Sequence, residues 1–406
     1  MGKVATEKTL QKGVDLLSVL ARSTVYPVKD YKEVQQIVRE GLAADVFNIG
    51  DQIVETWNFN GTEYTLPFDI VHFGIVTNKN GDRVPGMYLQ SHWVLAPVQF
   101  DGNEAFWYCE NALNAGTYNV TMGNSWGNNV VANKVYQFTL TQAVPQGGQL
   151  VFTTATSTTS GLPDQAPANW RVRSYASAAD TTHIEMVEVT EGSSGTSLGT
   201  LSISTKYADS GVNNMQRASY GYNRWSHSGM RQWLNSSATK GNWWTAQNVF
   251  DRPPDQLTSI DGFMAGLDED FLEVVQPIQI TTALNTVSDS SIGTTETTID
   301  KFFCPSLQEE YIVPQLADVE GENWDYWIQR LDLDSPQNTY QNAENTNANV
   351  NHIRYAYENH TSPQTVRLRS ARRGHAFATW HVHSTGGVSD GHATTAHRPA
   401  PACVIC

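Results

Sequence analysis

Two Asn-Gly pairs set the tightest limit on what this chain can fold into. Asn60-Gly61 separates the apolar-rich runs 51–59 and 63–76, and Asn80-Gly81 precedes the run 84–98. Asn-Gly tolerates the positive φ angles of a two-residue hairpin turn, so each pair marks consecutive antiparallel strands. The β reading continues through 115–121, 134–141 and 149–154, which alternate or run apolar with Gly-Gly and Pro-Gln between them. Ser, Thr, Gly and Pro make 157–167 a loop or joint. Three more strand-like runs fill 170–205, with Glu191-Gly-Ser-Ser-Gly195 as the turn between the second and third. Residues 101–111, with Glu104, Ala105, Phe106 and Cys109, form the one helical insertion expected in this region.

Two helices precede the strands. Apolar residues recur at helical spacing over 7–22, and Pro27 prevents continuation. A second helix is expected over 30–41, with Asp30 as N-cap, Glu33 completing a capping box and Gly41 as the stop. Such helices either pack locally or, in an assembled shell, serve as arms that reach a neighbour.

The composition changes at 222–235, Tyr-Asn-Arg-Trp-Ser-His-Ser-Gly-Met-Arg-Gln-Trp-Leu-Asn, where Met230, Trp233 and Leu234 can share one buried helical face. Trp243-Trp244 and the rigid turn Phe250-Asp-Arg-Pro-Pro254 follow. A helix is expected over 261–272, then a strand over 273–282 that Pro277 pushes toward an edge. Residues 288–298 read as a polar loop, 321–328 as an aromatic helix, and 337–351 as an Asn/Gln-rich surface loop or arm. These expectations divide the chain into a helical arm (1–44), a β-rich domain (45–210) and an α+β domain (211–406).

Charge is uneven. The 406 residues carry a formal net charge of -15, yet 351–406 hold six Arg against Glu358 and Asp390, a local +4 that leaves -19 elsewhere. A basic end on an acidic body fits contact with an acidic partner, such as another copy of the chain, or a solvated face. The acidic body argues against nucleic acid as the main ligand. No run of about 18 apolar residues and no secretory cleavage pattern occurs, so synthesis in the cytoplasm and no membrane span are expected. Four cysteines in a chain of this length make no disulfide framework. The Cys403-x-x-Cys406 pair lacks a helix start that would activate a thiol, and reads as two partly buried thiols. Asp69, His72, Ser91 and His92 lie close in sequence, but neighbours on strands point to opposite faces, so no triad is expected there.

Five motifs carry a resemblance. Trp225-Ser-x-Ser-x-x-Arg231-x-Trp-Leu-Asn235, Phe263-Met-x-Gly-Leu, Lys301-Phe-Phe-Cys-Pro-Ser306 with Glu309, Val366-Arg-Leu-Arg-Ser370 and His397-Arg-Pro-Ala-Pro-Ala-Cys-Val-Ile405 occur in this order. The order resembles a domain of unknown function found in tailed-phage and prophage virion proteins, similar in outline to the C-type-lectin-like and formylglycine-generating-enzyme folds. The resemblance spans roughly 220–406. It implies a C-terminal C-type-lectin-like α+β domain, which together with the helical arm and the antiparallel β-rich domain read from the residue pattern makes a mainly β plus α+β protein. In such modules the Arg-Leu-Arg-Ser strand and the closing Arg-Pro-Ala strand form the core, so Trp225, Arg231, Trp233, Arg367, Arg369 and Arg398 are expected as structural anchors.

The variable loops then gather Arg372, Arg373, His375, Trp380, His381, His383 and His392 at one end, and seven of the eleven histidines lie in 351–406. Three readings compete. Metal binding would use His381 and His383 with His375 or His392. A polar ligand, sugar above all, would stack on Trp380 and take hydrogen bonds from Arg372, Arg373 and His375. A structural contact would set these groups against an acidic neighbouring subunit. The Cys pair is the sole echo of the copper-binding enzymes, and the Glu-Pro-Asn type triplet of lectin calcium sites is missing. The expectation is a non-enzymatic virion structural protein, capsid or capsid-decorating, with no metal or cofactor and no catalytic residues. It would be made in the host cytoplasm and would assemble with copies of itself and other virion proteins. Its C-terminal loops would give surface or host contact. The alternatives are a tail receptor-binding protein recognising host glycan and, more remotely, a metal-dependent enzyme of the formylglycine-generating-like fold.

Overall fold

Asp30 opens helix α1 (Tyr31–Arg39) by accepting the Lys32 main-chain N–H at 2.8 Å, and Gly41 ends it at φ +71°. The computed structural model describes residues 30–104, 112–123, 131–143, 151–154, 183–201, 217, 220–247, 251–339 and 348–406. The helix expected over 7–22 lies outside them. Helix α2 (Ala43–Val46) follows. This leading segment does not stand away from the body: Val34, Ile37 and Val38 are buried, and Gln35 Nε2 donates to the carbonyl oxygens of Val274 (3.3 Å) and Cys406 (2.9 Å).

Strands β1 (Gln52–Phe59) and β2 (Thr62–Thr77) pair antiparallel through Asn60 and Gly61, at φ +51° and +80°. Strand β3 (Arg83–Ser91) returns after a turn in which Asn78 Oδ1 accepts from the main chains of Asn80 and Asp82, and β4 (Val98–Gln99) follows. Residues 101–104 are irregular rather than helical, and 105–111 lie outside the described residues. Next come β5 (Gly116–Met122), β6 (Val135–Leu140), β7 (Val151–Thr154), β8 (His183–Val189) and β9 (Thr196–Leu201).

The second half begins with a 3-10 turn, Trp225–His227, and helix α3 (Gly229–Leu234). The single helix expected over 261–272 is two pieces, a 3-10 turn Phe263–Gly266 and α4 (Glu269–Val274). Asp268 causes the break, since its side chain accepts from the Asp270 and Phe271 N–H groups and starts a new helix. The polar stretch 288–298 is not wholly loop: β10 (Ile278–Ala283) pairs with β11 (Thr295–Asp300), whose β-branched threonines suit a strand. The remaining elements are β12 (Phe302–Phe303), α5 (Asp325–Leu331), β13 (Arg354–Tyr355), β14 (Pro363–Gln364), β15 (Val366–Ala371), β16 (Ala378–Val382), β17 (Val388–His392), β18 (Ala396–Pro399) and β19 (Ala402–Ile405).

The strands build three five-stranded sheets, ordered β1-β2-β3-β19-β12, β17-β16-β15-β18-β4 and β7-β8-β6-β5-β9. The third is mixed rather than antiparallel, because β5 and β9, and β7 and β8, run parallel. Alternation along a strand is the same for either direction of a neighbour, so the sequence pattern carried no sign of this. The first two sheets join both halves of the chain: β3 pairs with β19 and β4 with β18. The boundary expected near residue 210 therefore does not separate these sheets, a consequence of long-range pairing that local patterns do not encode. The main core sets Trp57, Phe68, Trp225, Trp233, Phe263 and Trp327 between the first sheet and the helices. A second cluster, with Val94, Ile312, Leu368 and Trp380, lies under the second sheet. The protein is mainly β-sheet with few, short helices, a β-rich α+β architecture.

Candidate functional site

All six residues of β15 are buried, although Val-Arg-Leu-Arg-Ser-Ala reads as a half-exposed strand. Arg369 explains one part: it makes a two-pronged pair with Glu309 (Nη2 to Oε1 2.9 Å) and donates to the Cys304 and Glu320 carbonyls at 3.0 and 2.9 Å. Glu320, pushed above the usual carboxylate range by burial, accepts from the Ala283 N–H at 3.0 Å and the Ser370 hydroxyl at 2.7 Å. Among the described residues no carboxylate forms an ion pair with Arg367. Its Nη atoms donate to Thr379 Oγ1 at 2.6 Å and to the carbonyls of Gly391, His392 and Thr395 at 3.2, 2.9 and 2.8 Å. Burial lowers its pKa, and guanidinium remains the charged form.

The 222–235 segment is fastened just as densely. Ser228 caps α3 by accepting from the Arg231 N–H at 3.1 Å. Trp225 Nε1 donates to Asp300 Oδ2 at 2.9 Å, and Trp233 Nε1 to the Asp261 carbonyl at 2.8 Å. Asn235 imitates a strand partner, donating to the Phe302 carbonyl at 2.8 Å and accepting from the Lys301 and Phe302 N–H groups at 2.8 and 3.1 Å. Arg398 binds both Glu358 carboxylate oxygens and the Leu95 carbonyl.

At the loop end, the expected residues do not converge on one point. Trp380 is no stacking platform: it is 4 % exposed, packs in the second core cluster and donates from Nε1 to Gln315 Oε1 at 3.2 Å. The same Gln315 oxygen accepts the Arg373 main-chain N–H at 2.7 Å. His381, 6 % exposed, sets its ring 4.8 Å from that of His397. Burial first, and the Arg367 charge second, lower the pKa of His381 to about 3 and of His397 to about 2. His383 sits in the turn after β16, 3.1 Å from Thr385 Oγ1. His375 stacks on Phe377 at 5.0 Å, and burial, then Arg372, lowers its pKa. Arg372 pairs with Asp390 at 2.7 Å.

The open surface here is one that sequence reading missed. Tyr220 stacks on His392 at 3.9 Å, and both touch Phe377. Tyr220 lies some 170 positions from His392, and no spacing rule links them. Among the described residues no group of three or more His, Cys, Asp or Glu could hold a metal ion.

A second open surface lies at the far edge of the first sheet. Among the described residues, strand β1 has a neighbour on one side alone. In its hairpin register the N–H and C=O groups of Gln52 and Val54 point away from β2, which accommodates Pro67 opposite Val54. The distal end of β1 is covered, because Gly266 packs so close to the Asn58 carbonyl that a Cβ would lie 2.1 Å from it. The proximal end is not covered by any of the described residues, and Val54 is 57 % exposed. Between this end and α1 runs a groove of about 520 Å³ with Tyr31, Val34, Phe47, Ile53, Val54 and Ile70 in its walls and Asp30 and Asp51 at its rim. The adjacent apolar pair Ile53-Val54 was the available signal, since on a strand it must place one side chain on each face.

Among the described residues no helix is long and apolar enough to cross a membrane. Residues 198–405, 208 of the 406, match the family described as a domain of unknown function, DUF6273. No curated protein and no solved structure matches the chain.

Proposed function

This chain belongs to the DUF6273 family, and we propose that it is a non-enzymatic virion structural protein, capsid or capsid-decorating, that assembles with copies of itself and with other virion proteins. The observation that carries this reading is the uncovered end of β1: an unpaired strand edge, an exposed Val54 and an apolar groove side by side. Open edges and apolar patches are costly on a protein that stays alone, and they mark places where another chain docks. The order of the five sequence motifs supports a virion setting. The buried Arg367, Arg369 and Trp380 act as framework for the loops rather than as chemistry. Copper-type enzyme chemistry is not part of the reading: Cys403 is buried with its thiol pKa pushed well up, and Cys406, three positions on along an extended chain, points to the other face. Sedimentation velocity over a concentration series, with peptide mapping of purified particles, tests it. Self-association and presence in particles are expected; a chain that stays monomeric and is missing from particle peptides overturns it.

A second reading, a tail receptor-binding protein recognising host glycan, is favoured by the Tyr220–His392 stack beside the Arg372–Asp390 pair. An aromatic face flanked by charged hydrogen-bonding groups is the usual platform for a sugar ring. Loss of host adsorption on Tyr220→Ala, with assembly intact, is the outcome that would favour it.

A further inference from the structure

We propose that Asn60, at the tip of the β1–β2 hairpin, is a self-modification site: the Gly61 main-chain nitrogen displaces ammonia from the Asn60 side chain, and water opens the resulting ring to aspartate and isoaspartate. The inference goes beyond the assembly reading and does not depend on it.

The step needs a side-chain amide, an unshielded main-chain nitrogen one residue on, and water. Gly61 N bonds to Asn60 Cγ as the Cγ–Nδ2 bond breaks, and the Gly61 proton leaves with the amide nitrogen as ammonia. Water then adds to one of the two carbonyl carbons of the cyclic imide. Attack at Cγ gives aspartate on an unchanged main chain. Attack at the Asn60 main-chain carbonyl gives isoaspartate, in which the chain runs through Cβ and Cγ. The sum is one amide and one water exchanged for one carboxylate and one ammonium, with no oxidation or reduction. Both products add a negative charge. Isoaspartate also lengthens the main chain inside a two-residue turn whose length sets the register of Phe59 on Thr62 and Trp57 on Tyr64.

Three observations select Asn60. The first is the residue pair: Asn is a thermolabile residue, and Gly is the one successor with no Cβ to shield its nitrogen; the chain contains this pair at 60–61 and 80–81. The second is access. Asn60, Gly61 and Thr62 are all exposed, and nothing lies within 4 Å of the place a Gly61 Cβ would take. The ladder closes at Phe59 and Thr62, and among the described residues neither the Asn60 side chain nor the Gly61 N–H has a hydrogen-bond partner. The third is contrast with the other pair. Gly81 N–H donates to the Asn78 carbonyl at 3.0 Å, and Asn78 Oδ1 accepts from the Asn80 and Asp82 N–H groups at 2.8 and 3.0 Å. Asn78 N–H in turn donates to the Asp82 carbonyl at 2.9 Å. The attacking nitrogen must give up its proton, and an N–H already donating gives it up less readily. One such bond slows the clamped pair by about fivefold.

The test incubates the full-length protein in heavy-oxygen water at mildly alkaline pH, beside a sample unfolded in urea. Both are then digested in ordinary water and mapped by mass spectrometry with a fragmentation that separates aspartate from isoaspartate. Incubation runs until the unfolded sample is labelled at both Asn60 and Asn80, so that time is not limiting. In the folded protein the expected result is label at Asn60 about fivefold faster than at Asn80, with isoaspartate among the products. Asn60→Gly, which suits the same turn, is expected to leave this peptide unlabelled. Folded protein unlabelled at Asn60 overturns the proposal, as does Asn80 reacting as fast or faster. Label that persists in Asn60→Gly would place the reaction at Asn58 and also overturn it.

Discussion

Arg231 donates from Nε to Asp300 Oδ1 at 2.6 Å and thereby locks α3 to the end of β11. The same buried carboxylate takes Trp225 Nε1 and the Thr298 hydroxyl on its other oxygen. Asp300→Ala removes the acceptor for all three. It is expected to lower stability by about 3 kcal/mol, because the donors left behind lose both partner and solvent. The midpoint of a urea titration reads this directly, and a shift worth less than about 1 kcal/mol would mean that water replaces the carboxylate.

The Arg369–Glu309 pair tests whether the buried ions stabilise or only specify. Arg369→Met alone is expected to cost about 3–5 kcal/mol, since it strands a carboxylate in the core. Adding Glu309→Leu is expected to restore a large part of that loss. If the double variant is as unstable as the single, the remaining partners of this network, Glu320 and the Cys304 carbonyl, matter more than the ion pair.

Trp380→Ala is expected to cost about 3–5 kcal/mol by opening a cavity in the second core cluster, whatever the protein binds. Loss of host adsorption in that variant would therefore say nothing about a ligand. Tyr220→Ala and His392→Ala, at the surface, are expected to leave the thermal midpoint within a few degrees, and differential scanning calorimetry checks the contrast.

Acid should weaken the fold through the His381–His397 pair. Both folded-state pKa values, about 3 and about 2, lie below the ordinary histidine value. Above about pH 6.5 both rings are neutral whether the chain is folded or not, and their contribution is fully present. As pH falls below that, the unfolded chain takes up protons that the folded one refuses, at about 1.4 kcal/mol per unit for each ring, until the folded values are reached. The groups that face these rings, Arg367 and His383, are basic and keep the sign. His381→Asn with His397→Asn is expected to flatten the loss of stability between pH 6.5 and 4; an unchanged slope would place the acid sensitivity elsewhere, with the buried His227 next in line.

What the residues disclosed by themselves was local. Asn60-Gly61, Asp30 and Gly41 announced a hairpin, a helix start and a helix end, because each acts on its own backbone within four positions. Arg367 and Arg369 are expected as anchors from the resemblance alone; the partners that make their burial tolerable, Thr379 and Glu309, lie 12 and 60 positions away, beyond any local pattern. Trp380 suits a stacking platform by residue type, and nothing near it in sequence tells that Val94 and Ile312 pack with it in the second core cluster. The groove at β1 was half legible, as an apolar pair facing both ways, but the α1 wall opposite was not.

Strand β19 is an inner strand of the first sheet, between β3 and β12. Gln90 of β3 reaches Ala400 across 310 positions. At about 5–20 residues per second, a ribosome that has just made β3 needs roughly 15–60 s to make its partner. For that time the edge of β3 that β19 will fill has no partner strand, and an edge of that kind is open to pairing with another chain.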